Sequence, residues 1–355
     1  MKVVVAKSVL EIILTNTQSY LEKKDLSQIT SHVLLHAENG TLRVKATDFE
    51  IGFSYLSSEI NISEDGYATA NGTKLLQIIK SFKEDEITLE TINNYLYIKQ
   101  KSSKFKLPMF NHLEFPSFPD IEDKPKFDIN AEDFVKAVKK ITPTIDNNNP
   151  KFELNGALID IKPTFVNFVA TDTRRLGIFK KERENNNEFS LIIPKKAIVE
   201  LQKLFFEKIE FFYDENTLIA KSDDFIFFTK LINGKFPDYE RIIPKDKHFR
   251  IQLNREKMVE SVKQISVVSN EIKVTFKPKN ITFESLNDEN IEAKTEIDFE
   301  TGLDEEINLS FNSRYILDFL SNIEESNFTL GYNDSSLPFT LETKDFVTIV
   351  MPIIR

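Results

Sequence analysis

Apolar residues recur along this chain in a fixed template. Leu75/Leu76/Ile79/Phe82, Ala197/Ile198/Leu201/Leu204 and Ile316/Leu317/Leu320/Ile323 all occupy positions i, i+1, i+4 and i+7, as do Phe134/Val135/Val138/Ile141 and Met258/Val259/Val262/Ile265. At 100° per residue this spacing gathers the apolar side chains onto one helical face. Val9/Leu10/Ile13 starts the same pattern and then meets Asn16. Six amphipathic helices are therefore predicted, over 7–16, 73–83, 131–141, 194–205, 254–265 and 312–323. Asn130 and Asn254 stand where N-caps are expected, and Pro194 suits a first helical turn.

The helices fall into two interleaved series with steps close to 120 residues, and a β-type pattern repeats with them. Leu42–Asp48 and Val166–Asp172 both close on Ala-Thr-Asp, 124 residues apart. After each second helix come paired strand-like runs separated by polar turns: 87–89 with 95–98, 209–213 with 218–220, and 328–332 with 339–341. Phe118-Pro-Asp120 recurs as Phe236-Pro-Asp238, each leading through a charged, Pro-containing linker into the next copy. One apolar template could arise by chance; six in register with matching strands and linkers argue for internal repetition. The expected fold class is α+β, with three tandem copies that each place two helices on one side of antiparallel sheet. Boundaries fall near residues 125 and 247, giving copies 1–124, 125–246 and 247–355.

Composition narrows the chemistry. The 355 residues contain no Cys, and the four His, at 32, 36, 112 and 248, form no ligand cluster, so thiolate and His-rich metal sites are excluded in their usual forms. The 31 Phe, with no Trp, read as core mass. No run approaches the ~20 apolar residues needed to cross a bilayer, and the first residues are too briefly hydrophobic for a secretory signal, so the expected address is the cytoplasm. Asn233-Gly-Lys-Phe236 lacks the flanking residues of a phosphate-binding loop, and no motif sets two carboxylates as a catalytic dyad. No cofactor and no metal are expected.

Net charge is −10, which by itself argues against a general nucleic-acid binder. Its distribution changes that reading. The six predicted helices hold fourteen basic and seven acidic residues, leaving −17 elsewhere. On the helix 131–141, Lys136, Lys139 and Lys140 fall opposite the apolar face. Equivalent helix faces that align would make a cationic surface suited to phosphate backbone, positioning a duplex without reading its bases. Two rival classes stay open: an interaction scaffold that never meets DNA, with solubilising lysines, and a hydrolase with its own cleft.

The three copies, the cationic helix faces, and the segments Leu154-Asn-Gly156, Ala170-Thr-Asp-Thr-Arg-Arg-Leu176, Gly234-Lys-Phe-Pro-Asp-Tyr-Glu-Arg241 and Val350-Met-Pro-Ile-Ile-Arg355 resemble the bacterial DNA polymerase III beta subunit, the sliding-clamp family, over the whole chain. The resemblance implies a non-catalytic processivity factor. Two chains join head to tail into a ring of six domains whose twelve helices face duplex DNA. The replicative polymerase alpha subunit, the clamp loader and other proteins carrying a clamp-binding motif dock by short apolar-rich segments. The docking pocket it implies comprises Leu154, Thr171, Thr173, Arg174, Arg175, Leu176, Pro237, Arg241, Ile242, Tyr315, Ser336, Pro338, Ile349, Met351 and Pro352. Leu154, Leu176 and Ile349 read equally as ordinary core, and Arg174-Arg175 as a structural salt bridge. Thr173-Arg174 replaces the Gly-His pair often found in the family, and Ile353-Ile354-Arg355 replaces an ending nearer Met-Arg-Leu; both bear on the pocket's shape and motif preference.

For DNA, the resemblance points to Lys24, Asn148 and Lys151 in loops. Lys74, Lys80, Lys136, Lys140, Lys196, Lys203, Arg255, Lys263 and Arg314 are the expected inner-face contacts. A ring seam is suggested by the basic strand-like segment 99–107, with Lys104, Phe105 and Leu107, facing Val267, Val268, Ile272 and an acidic stretch from 288 to 296.

Overall fold

The computed structural model describes residues 1–25, 27–204, 209–286 and 292–354. All six predicted helices are present: α1 (Lys7–Thr17), α2 (Gly72–Ser81), α3 (Ala131–Ile141), α4 (Lys195–Leu201), α5 (Arg255–Ser266) and α6 (Ser313–Ser321). Their apolar template does what its spacing requires. Leu75, Leu76 and Ile79 of α2, and Ile316, Phe319 and Leu320 of α6, are buried, each such side chain contributing about 1.5–3 kcal/mol of transfer free energy. Asn254 caps α5, its Oδ1 accepting from the Lys257 amide at 3.1 Å, and Asn71 and Asn312 cap α2 and α6 in the same manner. Pro194 lies one residue earlier than expected. It is the N-cap of α4, its extended ψ of 145° ending the preceding strand. Helix α4 stops at Leu201, with Gln202–Leu204 continuing as hydrogen-bonded turn, and residue 205 of that expectation lies outside the described residues.

The chain forms two compact units, 1–131 with 205–231, and 132–204 with 232–355. Their boundaries do not coincide with the copies, and the sheets explain why. In the first unit an eight-stranded antiparallel sheet runs Lys126–Asp128, Glu210–Tyr213, Thr217–Lys221, Phe225–Lys230, Ile51–Ser57, Thr41–Thr47, His32–Glu38, Gly66–Asn71. Four strands come from the second copy and four from the first, joined where Phe225–Lys230 pairs with Ile51–Ser57. The second unit repeats the arrangement. Its eight strands run Phe189–Pro194, Gly156–Lys162, Phe165–Thr171, Arg175–Glu182, Phe346–Val350, Phe339–Glu342, Asn327–Tyr332, Phe249–Asn254, joined where Arg175–Glu182 pairs with Phe346–Val350. Successive copies are thus fused by a shared backbone ladder, which local sequence patterns do not announce.

One smaller sheet in each unit holds what is left over. In the first unit it runs Ile60–Glu64, Lys2–Ala6, Glu86–Ile92, Tyr95–Gln100, Ser103–Pro108; in the second, Lys294–Asp298, Asn280–Ser285, Glu271–Phe276, Ile307–Asn312. By position in its copy, Ser103–Pro108 corresponds to Phe225–Lys230 and Phe346–Val350, and Lys294–Asp298 corresponds to Ile51–Ser57 and Arg175–Glu182. Both are edge strands within the chain.

Phenylalanine supplies much of the core, as composition suggested. Phe53 stacks on Tyr20 at 5.2 Å and on Phe225 at 5.8 Å across the first joint; Phe168 meets Phe134 at 5.8 Å, and Phe319 stacks on Phe346 at 5.4 Å. Close backbone approach matters at Gly156. A Cβ there would stand 2.5 Å from the Ile193 carbonyl oxygen, on a partner strand that cannot retreat without breaking its ladder. Gly156→Ala is therefore expected to lower stability by about 1–3 kcal/mol; an unchanged urea midpoint would contradict this packing.

Candidate functional site

The segment Thr171–Arg175 is a tight turn built from its own side chains. Thr171 Oγ1 donates to the Arg175 carbonyl at 2.7 Å and accepts the Thr173 amide at 3.1 Å, while Asp172 Oδ1 accepts the amides of Arg174 and Arg175 at 3.1 and 3.0 Å. Thr173 adopts φ 71°, the left-handed region. A β-branched residue pays a steric penalty there that glycine avoids, which gives physical content to the Thr-for-Gly departure seen in the sequence.

Arg175 takes the structural of its two expected roles. It is 4% exposed, its Nε donates to Asp172 Oδ2 at 3.1 Å and its Nη2 to the Pro143 carbonyl at 2.6 Å. Its Nη1 stands 2.7 Å from Asp318 Oδ2 of α6 as an ion pair without hydrogen-bond geometry, and the guanidinium lies 4.4 Å from the Tyr315 ring centroid. Burial pushes the Tyr315 phenol upward, reinforced by Asp172. Arg175 is thus a buried rivet between the turn and α6. Arg174 next to it is exposed.

Leu154, Leu176 and Ile349 resolve as core. Each is 2% exposed, and they pack in one cluster with Leu158, Val169, Ile178, Ile192, Phe236 and Tyr239. Leu176 sits directly opposite Ile349 across the joint. At the end of that joint the Met351 amide donates to the Arg174 carbonyl at 2.9 Å, and Phe339 pairs with Val350, which brings Arg174, Met351 and Pro338 together along the sheet end. Met351 and Ile242 are exposed at 41% and 43%. Thr173, Arg241 and Ser336 are also exposed, Thr171 is buried, and Pro237, Tyr315, Pro338 and Pro352 are half-buried. Arg241 pairs with Asp238 at 2.7 Å on the surface, and the Ser336 hydroxyl donates to Asp334 at 2.6 Å.

Several residues of this region escaped sequence reading. Leu337, exposed at 48%, adds apolar surface beside Pro338. Tyr239 is buried, its hydroxyl donating to Asp160 Oδ2 at 2.7 Å and accepting from Asn167 Nδ2 at 2.9 Å, which anchors the Phe236–Ile242 segment on the sheet. Burial raises its pKa strongly, so the phenol stays protonated and able to donate. Tyr239 was visible within the quoted Phe-Pro-Asp-Tyr segment; Asp160 and Asn167 lie on distant strands and carried no signal.

The basic residues divide. In the first unit Lys24, Lys74 and Lys80 are exposed. In the second, Lys139, Asn148, Lys151, Lys196, Lys263 and Arg314 are exposed, as is Lys203, paired with Glu200 at 2.7 Å. Lys136 is half-buried with Glu324 at 3.8 Å, and Arg255 donates to the Leu320 carbonyl at 2.7 Å. Lys140 is a correction. It is 5% exposed, with Nζ 5.5 Å from the Phe179 and Phe346 ring centroids. Helix α3 buries its Ala137 side as well as the Phe134–Val138 stripe, and Lys140 falls on that flank. Burial holds its ammonium below the usual lysine range. It cannot serve as a phosphate contact.

Seam expectations are corrected similarly. Ile272 is fully buried in an interior strand, and Leu107 faces its own sheet at 9% exposure, whereas Lys104, Phe105 (39%) and Val267 (86%) are exposed and Val268 is half-buried. Residues 288–291 of the acidic stretch lie outside the described residues.

Fused half-sheets carrying paired helices, repeated along one chain, define the sliding-clamp class of fold. Models of the DNA polymerase III beta subunit match the chain throughout: the N-terminal domain over residues 1–119, the central domain over 128–238 and the C-terminal domain over 240–354. The chain is 40% identical over 352 residues to the Beta sliding clamp of Helicobacter pylori strain J99, covering 96% of this chain and 94% of that one. It is similar to the crystal structure of the Helicobacter pylori beta clamp bound to DNA ligase peptide, with TM-score 0.95, 38% identity and complete coverage of both chains. The DNA polymerase III subunit beta from Pseudomonas aeruginosa shares the fold, with TM-score 0.94 at 24% identity over the whole of both chains. The chain belongs to the DNA polymerase III beta subunit family, a family of non-catalytic processivity factors.

The turn's dependence on one carboxylate is open to test. Asp172→Ala removes the oxygen that accepts two turn amides and one partner of a buried guanidinium, and should cost about 2–4 kcal/mol. A urea midpoint equal to the parent's would show that the turn holds without it.

Proposed function

We propose that this chain is half of a head-to-tail homodimeric ring that encircles duplex DNA in the cytoplasm and tethers the replicative polymerase, the clamp loader and other replication and repair proteins through a peptide-motif site. The observation that carries the reading is the repeated joint. Twice within the chain, the third meander strand of one copy pairs with the equivalent edge of its neighbour. One unmatched half is left at each end, Ser103–Pro108 and Lys294–Asp298. A second copy, placed by the same pairing rule, fills both. Charge agrees: Lys104 and Lys106 lie on one edge, and Glu296 and Asp298 on the other, beside Lys294.

The domain division 1–124, 125–246 and 247–355 belongs to the same reading, as the unit that repeats around the ring. Exposed Lys74, Lys80, Lys139, Lys196 and Lys263 on the helices supply phosphate contacts that are individually weak and sequence-independent, so enclosure retains the DNA while local contacts exchange. For the docked motif, Arg174, Ile242, Leu337 and Met351 form an accessible rim over the buried Leu154, Leu176 and Ile349, combining apolar surface with one cationic head. That a Helicobacter pylori beta clamp binds a DNA ligase peptide supports a docking role for the fold. Among the described residues no helix is long and apolar enough to cross a membrane.

Retention on DNA tests the ring. The protein loaded on nicked circular duplex should stay bound through gel filtration and leave once the circle is cut; equal retention on circle and linear DNA would contradict encirclement. Lys139→Glu should shorten retention at low salt while leaving the fold intact, whereas Lys140→Glu should destabilise the chain by about 2 kcal/mol or more by placing a carboxylate under two aromatic rings. A folded Lys140→Glu chain with a selective DNA defect would reverse the assignment of those two lysines.

A further inference from the structure

The one-turn helix Tyr239–Ile242 carries two residues assigned to the docking site, Arg241 and Ile242, and has little of its own to hold it in place. It spans four residues, its N-cap Asp238 makes no side-chain cap hydrogen bond, and the Arg241–Asp238 ion pair at 2.7 Å lies on the surface. A single turn gains too few backbone bonds to persist alone, so its orientation comes from tertiary contacts. Tyr239 supplies them in two forms. Its ring belongs to the buried cluster of Leu154, Leu176 and Ile349, while its hydroxyl donates to Asp160 Oδ2 at 2.7 Å and accepts from Asn167 Nδ2 at 2.9 Å. Asp160 and Asn167 stand opposite each other on adjacent strands and are 8% and 7% exposed. Apolar packing has no preferred direction and would let the turn roll about the ring; two hydrogen bonds to one oxygen, both anchored on a sheet, fix the angle.

The chain builds the same frame once more without this network. In the first unit Thr47 Oγ1 donates to the Ile51 carbonyl at 2.8 Å and Asp48 Oδ1 accepts the amides of Glu50 and Ile51 at 3.0 Å each, as Thr171 and Asp172 do in the second. Strand register places His36 opposite Arg43 where the second unit has Asp160 opposite Asn167. Phe118-Pro-Asp120 is followed by Ile121, which has no hydroxyl, and His36 stacks on Tyr67 of its own sheet at 4.0 Å. The shared sheet and its turn thus form without the polar trio. Withdrawing three polar groups from water carries a cost that their mutual hydrogen bonds offset with little surplus, so the trio contributes more to direction than to stability.

We infer that Tyr239, Asp160 and Asn167 are positioning residues of the docking site: held from two strands, the Tyr239 hydroxyl sets the angle at which the turn presents Ile242 to an incoming apolar side chain. The inference rests on the docking reading above. All three residues are buried and act through the turn, so none of them touches the peptide. Met351, on the strand end across the joint, is placed by a different contact, its amide donating to the Arg174 carbonyl at 2.9 Å, and lies outside this control.

Titration calorimetry of the full chain with the DNA ligase peptide as probe tests this through coupling between sites. Tyr239→Phe, which keeps the ring in the cluster and removes only the hydroxyl, should weaken binding about three- to tenfold. Asp160→Ala should do the same, and Asp160→Asn, which keeps an acceptor in place, should bind close to the parent; circular dichroism confirms that each chain is folded. In an Ile242→Ala background Tyr239→Phe should have almost no further effect, whereas with Met351→Ala the two losses should multiply. A folded Tyr239→Phe chain that binds as the parent does, or one whose loss multiplies with that of Ile242→Ala, would overturn the inference, the second because a general loosening of the domain acts independently of Ile242. No binding to the parent, or binding untouched by both Ile242→Ala and Met351→Ala, would instead refute the docking reading on which it stands.

Discussion

One backbone ladder, used repeatedly, organises this protein. A strand that ends the meander of one copy hydrogen-bonds to the edge of a neighbouring half-sheet, and two half-sheets of four strands become one of eight. Because the ladder is antiparallel and its strands are buried at the joint, it tolerates little slippage: a one-residue shift would move Phe53 and Phe225, or Leu176 and Ile349, to the opposite face of the sheet. The same rule explains the ends of the chain. A unit that joins by a two-sided device leaves one joining side unmatched at each terminus, and a closed assembly would match both.

Function follows from what each joint presents at its margin. At the second joint the strand end brings Arg174, Met351 and Pro338 side by side, and Arg175 rivets the turn to α6 through Asp318 and Tyr315. The buried guanidinium is expensive to desolvate and is compensated by its contacts to Asp172, Pro143 and Asp318, so its service is to fix geometry more than to add stability. The proposed docking surface is a rim of exposed side chains over the buried cluster at Leu176 and Ile349. At the first joint the same turn geometry recurs with a different filling, Phe228 packed over Gly52.

Much of this was legible in the sequence because helices are local objects. The i, i+1, i+4, i+7 template depends only on residues within two turns, and it located α1 to α6 to within a few residues. The Ala-Thr-Asp repeat likewise marked two turns whose hydrogen bonds lie inside five residues. Sheet sharing between copies was illegible, since pairing between Ile51–Ser57 and Phe225–Lys230 spans more than 160 residues and leaves no periodic trace. Lys140 shows the limit of a helical wheel: the wheel gives direction, but the width of the buried face is set by what packs beside Ala137. Ile272 shows the same for strands, where alternation cannot tell an edge from an interior position. The Tyr239–Asp160–Asn167 network joins one strand pair to a segment more than 70 residues on in sequence, and only its Tyr fell within a recognisable motif.

Ring closure depends on the unmatched edges, and sedimentation equilibrium measures whether they meet. The parent chain should sediment as a single species of twice 41.1 kDa, and the variant Lys104→Glu with Lys106→Glu, which sets like charges against Glu296 and Asp298, should shift that species toward the single-chain mass. A parent that stays at 41.1 kDa at every concentration, or that grows into an open series of polymers, would contradict closure through these edges.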